Sequence, residues 1–214
     1  MTSLWASSNA SDWLAAEATY PAALATRALA PGDAAFMDAE LPAALLARAP
    51  AAYITQPELA RVMRWKLRFG KMRPLQKLID ALPDAAVRAA SAAAFAALPP
   101  GGGGGGGGAL PRALAALAKP LKGVGPATAS AVLAAWAPSR VAFMSDEALE
   151  AVLGTRAYTA PECEALAGKC RDKAAALGAG WTAQRVQRAL WAAAILGGGG
   201  AVGGKAAGKK RPRE

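Results

Sequence analysis

The decapeptide Leu121-Lys122-Gly123-Val124-Gly125-Pro126-Ala127-Thr128-Ala129-Ser130 constrains the fold more than any other stretch of the chain. Apolar residues at helical spacing (Leu110, Leu114, Leu117, Leu121) run into its Gly-Val-Gly centre, and a second set (Ala129, Val132, Leu133, Trp136) runs out of it. The spacing predicts two helices joined by a tight hairpin. Gly123 and Gly125 suit the positive-φ geometry that reverses a chain, and without side chains they let a ligand come close to the backbone. Val124 between them is placed to fill the gap between the helices. Pro126 suits the first turn of the second helix, where its missing N–H would have had no partner. The other unpaired N–H groups and the positive helix end favour an anion there, and Lys119 and Lys122 flank the spot. A helix-hairpin-helix of this kind grips a phosphate backbone. A plain antiparallel helix pair with a glycine turn is the alternative.

The charge pattern points the same way. The net charge is +10, yet residues 1–50 carry −3 and residues 145–196 balance. The excess sits in residues 51–98 (+5), 99–144 (+4) and 197–214 (+4). A basic region around the hairpin attracts phosphates in a salt-dependent, sequence-independent way. Its densest part is Arg61, Arg64, Lys66, Arg68, Lys71, Arg73 and Lys77, with Trp65 and Phe69 between them. Leu59, Val62, Met63 and Leu67 read as core, and Trp65 as packing nearby rather than stacking on a base. The cations around Gly70, with Lys71 and Arg73 projecting from a turn and Arg68 just before it, form a second phosphate clamp.

Absent residues exclude whole chemistries. Without histidine there is no Ser-His-Asp or Cys-His catalysis and no imidazole metal ligand. Cys163 and Cys170, seven apart on one helix face, are too few for a structural zinc site and read as reduced core residues of an intracellular protein. No apolar window suits a membrane span, and the start of the chain lacks the layout of a presequence.

Strand signals are nearly absent, and 60 alanines favour helix, so the expected fold is all-α. Residues 11–196 form one helical domain, preceded by a flexible 1–10. The Pro-Pro-Gly run at 99–108 interrupts the domain as a flexible linker, and 197–214 is a disordered basic tail. Within the domain, Ser11 is expected to cap the first helix, which Pro31-Gly32-Asp33 breaks. A second helical stretch covers Ala35–Ala47, with Pro42 as a kink or boundary. Thr55 caps Pro57–Phe69, a further segment runs to about Leu82, and Asp84–Leu98 follows. After the hairpin, Pro138–Met144 is extended, Ser145-Asp146 caps Glu147–Leu153, and the last helices are Pro161–Leu177 and Thr182–Leu196. The cluster Lys209, Lys210, Arg211 and Arg213 reads as a nuclear import signal, with a cytoplasmic location as the alternative.

Leu121–Ser130, followed by Val141-Ala142-Phe143-Met144-Ser145-Asp146, resembles the helix-hairpin-helix DNA glycosylase superfamily that includes endonuclease III and the adenine glycosylase. That group carries a Leu-x-Gly-Val-Gly hairpin, a Thr-Ala pair opening the second helix, and an extended loop ending in a catalytic aspartate. Thr128-Ala129 matches the pair and Asp146 takes the aspartate's place, one residue further from Gly123 than that superfamily leads one to expect. Residues 10–195, with Trp65-Lys66-Leu67 and Gly70-Lys71-Met72-Arg73-Pro74, also resemble an uncharacterised eukaryotic family of fungi, plants and algae. The resemblance implies a glycosylase-like fold. It implies duplex DNA as partner through Gly123, Val124, Gly125 and Thr128, and no cofactor beyond a monovalent cation at the hairpin backbone.

Three functions stay open at this level. The first is DNA binding without sequence preference. The second is a monofunctional base-excision glycosylase using Asp146; it would lack lyase activity, because Ala127 stands where the bifunctional enzymes carry lysine. The third is a helical protein-interaction scaffold in a nuclear complex. For Asp146 the competing role is a helix N-cap, with Ser145 as rival cap. The sequence favours the cap, since Glu147 beside it and the extra loop residue argue against catalytic geometry, and the balance lies against an enzyme. A basic run and hairpin on one shared face support nucleic acid; separate patches support the scaffold.

Overall fold

Side-chain caps set where this chain turns. Asn9 accepts from the Ser11 amide to open α1 (Ala10–Ala18), not Ser11 itself as expected. At Thr55 a full capping box opens α5 (Gln56–Lys66): the Thr55 side chain accepts from Glu58 N–H while the Glu58 carboxylate accepts from Thr55 N–H. Ser145 opens α10 (Asp146–Leu153), Thr159 opens α11 (Ala160–Leu177) and Thr182 opens α12 (Ala183–Leu196). The computed structural model describes residues 4–27, 31–70, 74–101 and 108–197.

The other elements are α2 (Tyr20–Thr26), α3 (Pro31–Ala35), a π-helical turn (Phe36–Glu40) and α4 (Leu41–Ala47). After α5 come α6 (Gln76–Asp80), α7 (Asp84–Ala97), α8 (Ala109–Ala118) and α9 (Pro126–Trp136). The fold is all-α, and no strand occurs among the described residues. One expectation near the prolines changes. Pro31-Gly32-Asp33 starts a helix rather than only breaking one, because proline and an acidic residue suit a first turn. Pro42 marks a boundary, one of the two roles expected of it: it sits in the first turn of α4, just after the π-helical turn. α5 ends at Lys66, short of the expected Phe69.

α9 runs through the middle of the domain, and every residue from Ala127 to Trp136 is buried. α8 packs on it from the hairpin side, and α5 and α4 pack from the N-terminal half. α12 closes the other side, meeting α1, α2, α10 and α11. A chain of rings ties these layers together: Phe69 lies 4.2 Å from Trp65 and 4.5 Å from Trp191, and Trp65 lies 5.0 Å from Phe143, between ring centroids. Each such buried large side chain contributes on the order of 2 kcal/mol through removal from water. Cys163 and Cys170 are both buried thiols, unpaired, in α11. The α7–α8 connection is pinned where it begins: Trp136 donates to Leu98 O at 2.8 Å and Arg140 to Pro99 O at 2.7 Å. Most of the glycine run and all of the tail beyond Gly197, including Lys209, Lys210, Arg211 and Arg213, lie outside the described residues. Among the described residues no helix is long and apolar enough to cross a membrane.

Candidate nucleic-acid interface

The turn between α8 and α9 is built by one left-handed glycine, not two. Gly123 has φ +92°, and Val124 N–H donates back to Leu121 O at 3.0 Å. A Cβ on Gly123 would stand 3.0 Å from Leu78 Cβ and 3.4 Å from Ile79 Cδ1, so α6 presses directly on the turn. Gly125 instead has φ −103° and ψ −179°. The expectation of positive φ there fails for a simple reason: the residue before a proline is pushed into extended geometry. A Cβ on Gly125 would meet nothing within 4 Å. Neither torsion nor packing therefore demands glycine at this N-cap position. Val124 is buried as expected, and Lys119 and Lys122 are exposed beside the turn.

Unlike the five capped helices, α9 starts without a side-chain cap. Its first-turn amides have no intrahelical acceptors. They open onto a cavity of about 440 Å³ lined by Gly123, Gly125, Pro126, Ala127 and Thr128. Its opposite walls are Lys66, Phe69 and Gly70 after α5, then Phe143, Met144 and Asp146, and finally Arg156 and Tyr158 from the loop after α10. Thr128 is otherwise buried in α9.

Asp146 is the residue on which the sequence reading and the structure part. The cap of α10 is Ser145, whose Oγ accepts from Ala148 N–H at 3.2 Å. Asp146 occupies the first helical position, and its carboxylate turns toward the cavity. It accepts a hydrogen bond from the Tyr158 hydroxyl and lies 3.7 Å from an Arg156 nitrogen. Gly70 faces it so closely that a Cβ there would be 3.7 Å from Oδ1. The expected cap role is thus overturned. The sequence could not separate Ser145 from Asp146, because both have cap chemistry and the choice depends on partners far along the chain.

Those partners form a buried polar chain. Gln184 accepts from Phe143 N–H at 2.9 Å and donates to Gln187, which donates to Ser145 Oγ at 3.1 Å. Ser130 accepts from Met144 N–H at 3.1 Å and donates to Ala127 O. The extended segment before Asp146 is therefore held on one side by α12 and on the other by α9. Next to it, Glu147 is mostly buried within 3.5 Å of Arg27. Burial, and secondarily the neighbouring Asp146, push its carboxyl above the ordinary range despite Arg27 and Arg156.

The basic residues divide. Lys66 lines the cavity, and Lys77 is exposed on α6 one residue before the Leu78 that touches the turn. Lys119 and Lys122 are exposed just before Gly123, which lines the same cavity as Lys66. Arg61 is committed elsewhere, to Glu40 at 3.1 Å, to Gly32 O and to the face of Phe36. Arg68 is exposed two residues before Gly70, and Trp65 is buried and no stacking platform. Lys71 and Arg73 lie outside the described residues. Sequence reasoning missed Arg156 and Tyr158. The signal was present: in so alanine-rich a chain, an arginine and a tyrosine in one short loop stand out.

No family model, no curated protein and no solved structure matches this chain. What the cavity does has to be read from its own geometry. Among the described residues no three Cys, Asp or Glu side chains converge on a metal position.

Proposed function

We propose that this domain binds nucleic acid, duplex DNA in the first instance, by gripping a backbone phosphate at the 119–126 turn without reading sequence. The observation that carries this reading is the meeting, around one cavity, of the uncapped N-terminus of α9, a glycine that the fold itself does not require, and Lys66, with Lys119 and Lys122 exposed in the turn that leads into it. The amides of α9 supply short-range bonds to an anion and the lysines supply long-range attraction. Lys66, from the basic run, lines the same cavity as Gly123 and Gly125, which favours nucleic acid over a protein scaffold. A monovalent cation at the turn's carbonyls would add a bridge to the same phosphate; the binding reading does not depend on it.

A second reading is favoured by the place of Asp146, which leaves the cap to Ser145 and lines the cavity. A nucleotide extruded from the duplex fits a cavity walled by Phe69, Phe143 and Tyr158. The Asp146 carboxylate, oriented by Tyr158 and Arg156, would then stabilise positive charge developing on the sugar as the base–sugar bond breaks. Water adds to the sugar carbon and the base leaves with a proton, the outcome of a monofunctional glycosylase. Ala127 supplies no amine for a Schiff base at that position.

The test is fluorescence anisotropy on labelled duplex DNA over a salt series, with the chain ending at Gly197 so that the basic tail does not contribute. Lys119→Gln with Lys122→Gln is expected to lower the slope of log K against log salt by about 2. Gly125→Glu, which places a carboxylate at the phosphate position, is expected to abolish binding while leaving the melting temperature nearly unchanged. A tail-free domain that ignores DNA at low salt overturns the proposal. If binding holds, base release from damaged or mismatched duplexes, lost in Asp146→Asn, tests the second reading.

A further inference from the structure

Thr128 stands at the third position of α9, after Pro126 and Ala127, and is only 1% exposed. Thr55, Ser145, Thr159 and Thr182 are N-caps, and the side-chain oxygen of each accepts from a first-turn amide. Thr128 lies inside its helix and satisfies none. Ser130, two residues on, donates to Ala127 O at 2.9 Å, but the Thr128 hydroxyl makes no hydrogen bond among the described residues. That oxygen is not sealed in either, so the sliver of surface the residue keeps includes it, and the residue lines the cavity of about 440 Å³. Buried hydroxyls nearly always find partners. The amide of Ala129 donates to Gly125 O at 2.9 Å, whereas those of Ala127 and Thr128 come too early in the helix to find a backbone acceptor.

Two N–H groups and one O–H, all from Ala127 and Thr128, are therefore without acceptors at one wall of the cavity. That set matches the three oxygens of a terminal phosphomonoester, which carries about −1.5 to −2 charge near pH 7. A phosphodiester within a strand offers fewer free oxygens and less charge. Lys66 and Arg156 line the cavity against the carboxylate of Asp146, so the balance of its described wall is positive. Asp146 sets the direction. A carboxylate repels a phosphate, so the phosphate lies at α9 and the neutral part of the ligand extends toward Asp146, which can accept from a sugar hydroxyl. Leu67, Leu75 and Tyr158, all half-buried, give that part apolar surface. The volume is that of a small-molecule site. We propose that this cavity holds a nucleotide by a terminal phosphomonoester, at a strand end or on a free mononucleotide, with the Thr128 hydroxyl as the donor that separates it from an internal phosphate. The inference rests on the phosphate position of the binding reading and specifies its chemical form; it does not depend on base excision.

Two measurements on the full chain test it. In the first, the ¹⁵N-labelled protein is titrated with dAMP, deoxyadenosine and inorganic phosphate while the Ala127 and Thr128 amide signals are followed. dAMP is expected to move both saturably, with affinity at least tenfold above that of either other compound. Thr128→Val is expected to lose at least tenfold of that affinity. The three compounds on the unmodified chain decide the matter even where Thr128→Val does not fold. In the second, anisotropy compares one internally labelled duplex closed into a dumbbell with open forms bearing hydroxyl, 5′-phosphate or 3′-phosphate ends. A phosphate-bearing end that binds at least tenfold tighter than the dumbbell assigns the ligand to strand ends; dAMP binding without that preference assigns it to the free nucleotide. Amides unmoved by dAMP, with equal affinity for the dumbbell and every open form, overturn the inference and leave the grip on internal phosphates standing. Inorganic phosphate as tight as dAMP also overturns it, as a site for the anion alone. A chain that binds dAMP but no duplex upholds the inference and overturns the DNA reading.

Discussion

Gly123 and Gly125, two residues apart in one turn, are expected to respond to the same substitution in opposite ways. At Gly123 an alanine must hold φ +92°, which costs an L-residue roughly 1–2 kcal/mol. Its Cβ also arrives 3.0 Å from Leu78 Cβ and 3.4 Å from Ile79 Cδ1, so α6 must shift, at a further 1–3 kcal/mol or about that. Gly123→Ala should therefore destabilise by about 2–5 kcal/mol. For a domain of this size that lowers the melting temperature by roughly 4–20 °C. At Gly125 the backbone is extended, the Cβ meets nothing within 4 Å, and only the modest N-cap preference of glycine over alanine is lost, about 0.5–1 kcal/mol. Thermal melts followed by far-UV circular dichroism measure both. DNA affinity should separate them the other way, because the Gly125 Cβ projects where a phosphate would approach. Equal melting temperatures for the two variants, or a lower one for Gly125→Ala, would refute the account of the turn.

Glu58 closes the capping box of α5 and takes two bonds from Arg48, at 2.8 and 2.9 Å. Burial alone would raise its carboxyl, but Arg48 and Thr55 outweigh burial and hold it below the ordinary range. Its contribution is thus present above the unfolded glutamate pKa and lost as pH falls through the lower folded value; Glu58→Gln should cost about 1–3 kcal/mol at neutral pH and show a smaller loss in acid, read by urea melts across pH. Glu147 has the opposite sign. Its raised folded pKa means that stability falls as pH rises through it, so Glu147→Gln should raise the melting temperature at neutral pH, and that gain should vanish below the ordinary glutamate range. Cys163 and Cys170 have thiols pushed up to about 12 by burial, so iodoacetamide should label neither in the native protein and both after unfolding, as mass spectrometry would show.

The helical class, the capping box and the buried faces on either side of the hairpin were legible in the sequence because each depends on residues within a turn or two of one another. Thr55 and Glu58 find each other three residues apart, whatever the rest of the chain does. The site was legible only in outline. Gly125 looks like Gly123 until the torsional effect of Pro126 is counted. Asp146 looks like a cap until Gln187 secures Ser145 from 42 residues away and Tyr158 claims the carboxylate. Arg61 counts toward the basic run in the sequence, but Glu40, from the π-helical turn before α4, occupies it. In each case the deciding partner lies on another element.

The glutamines of α12 also set an order of assembly. The glycine turn, the aromatic walls and the Asp146 carboxylate are all synthesised before Gln184 and Gln187, which fix the segment that presents them. A chain emerging from the ribosome therefore displays its lysines well before it owns a finished cavity. Early in its life it is a loosely basic helical polypeptide; the mouth acquires its shape only when the last helix slots between the first and the tenth.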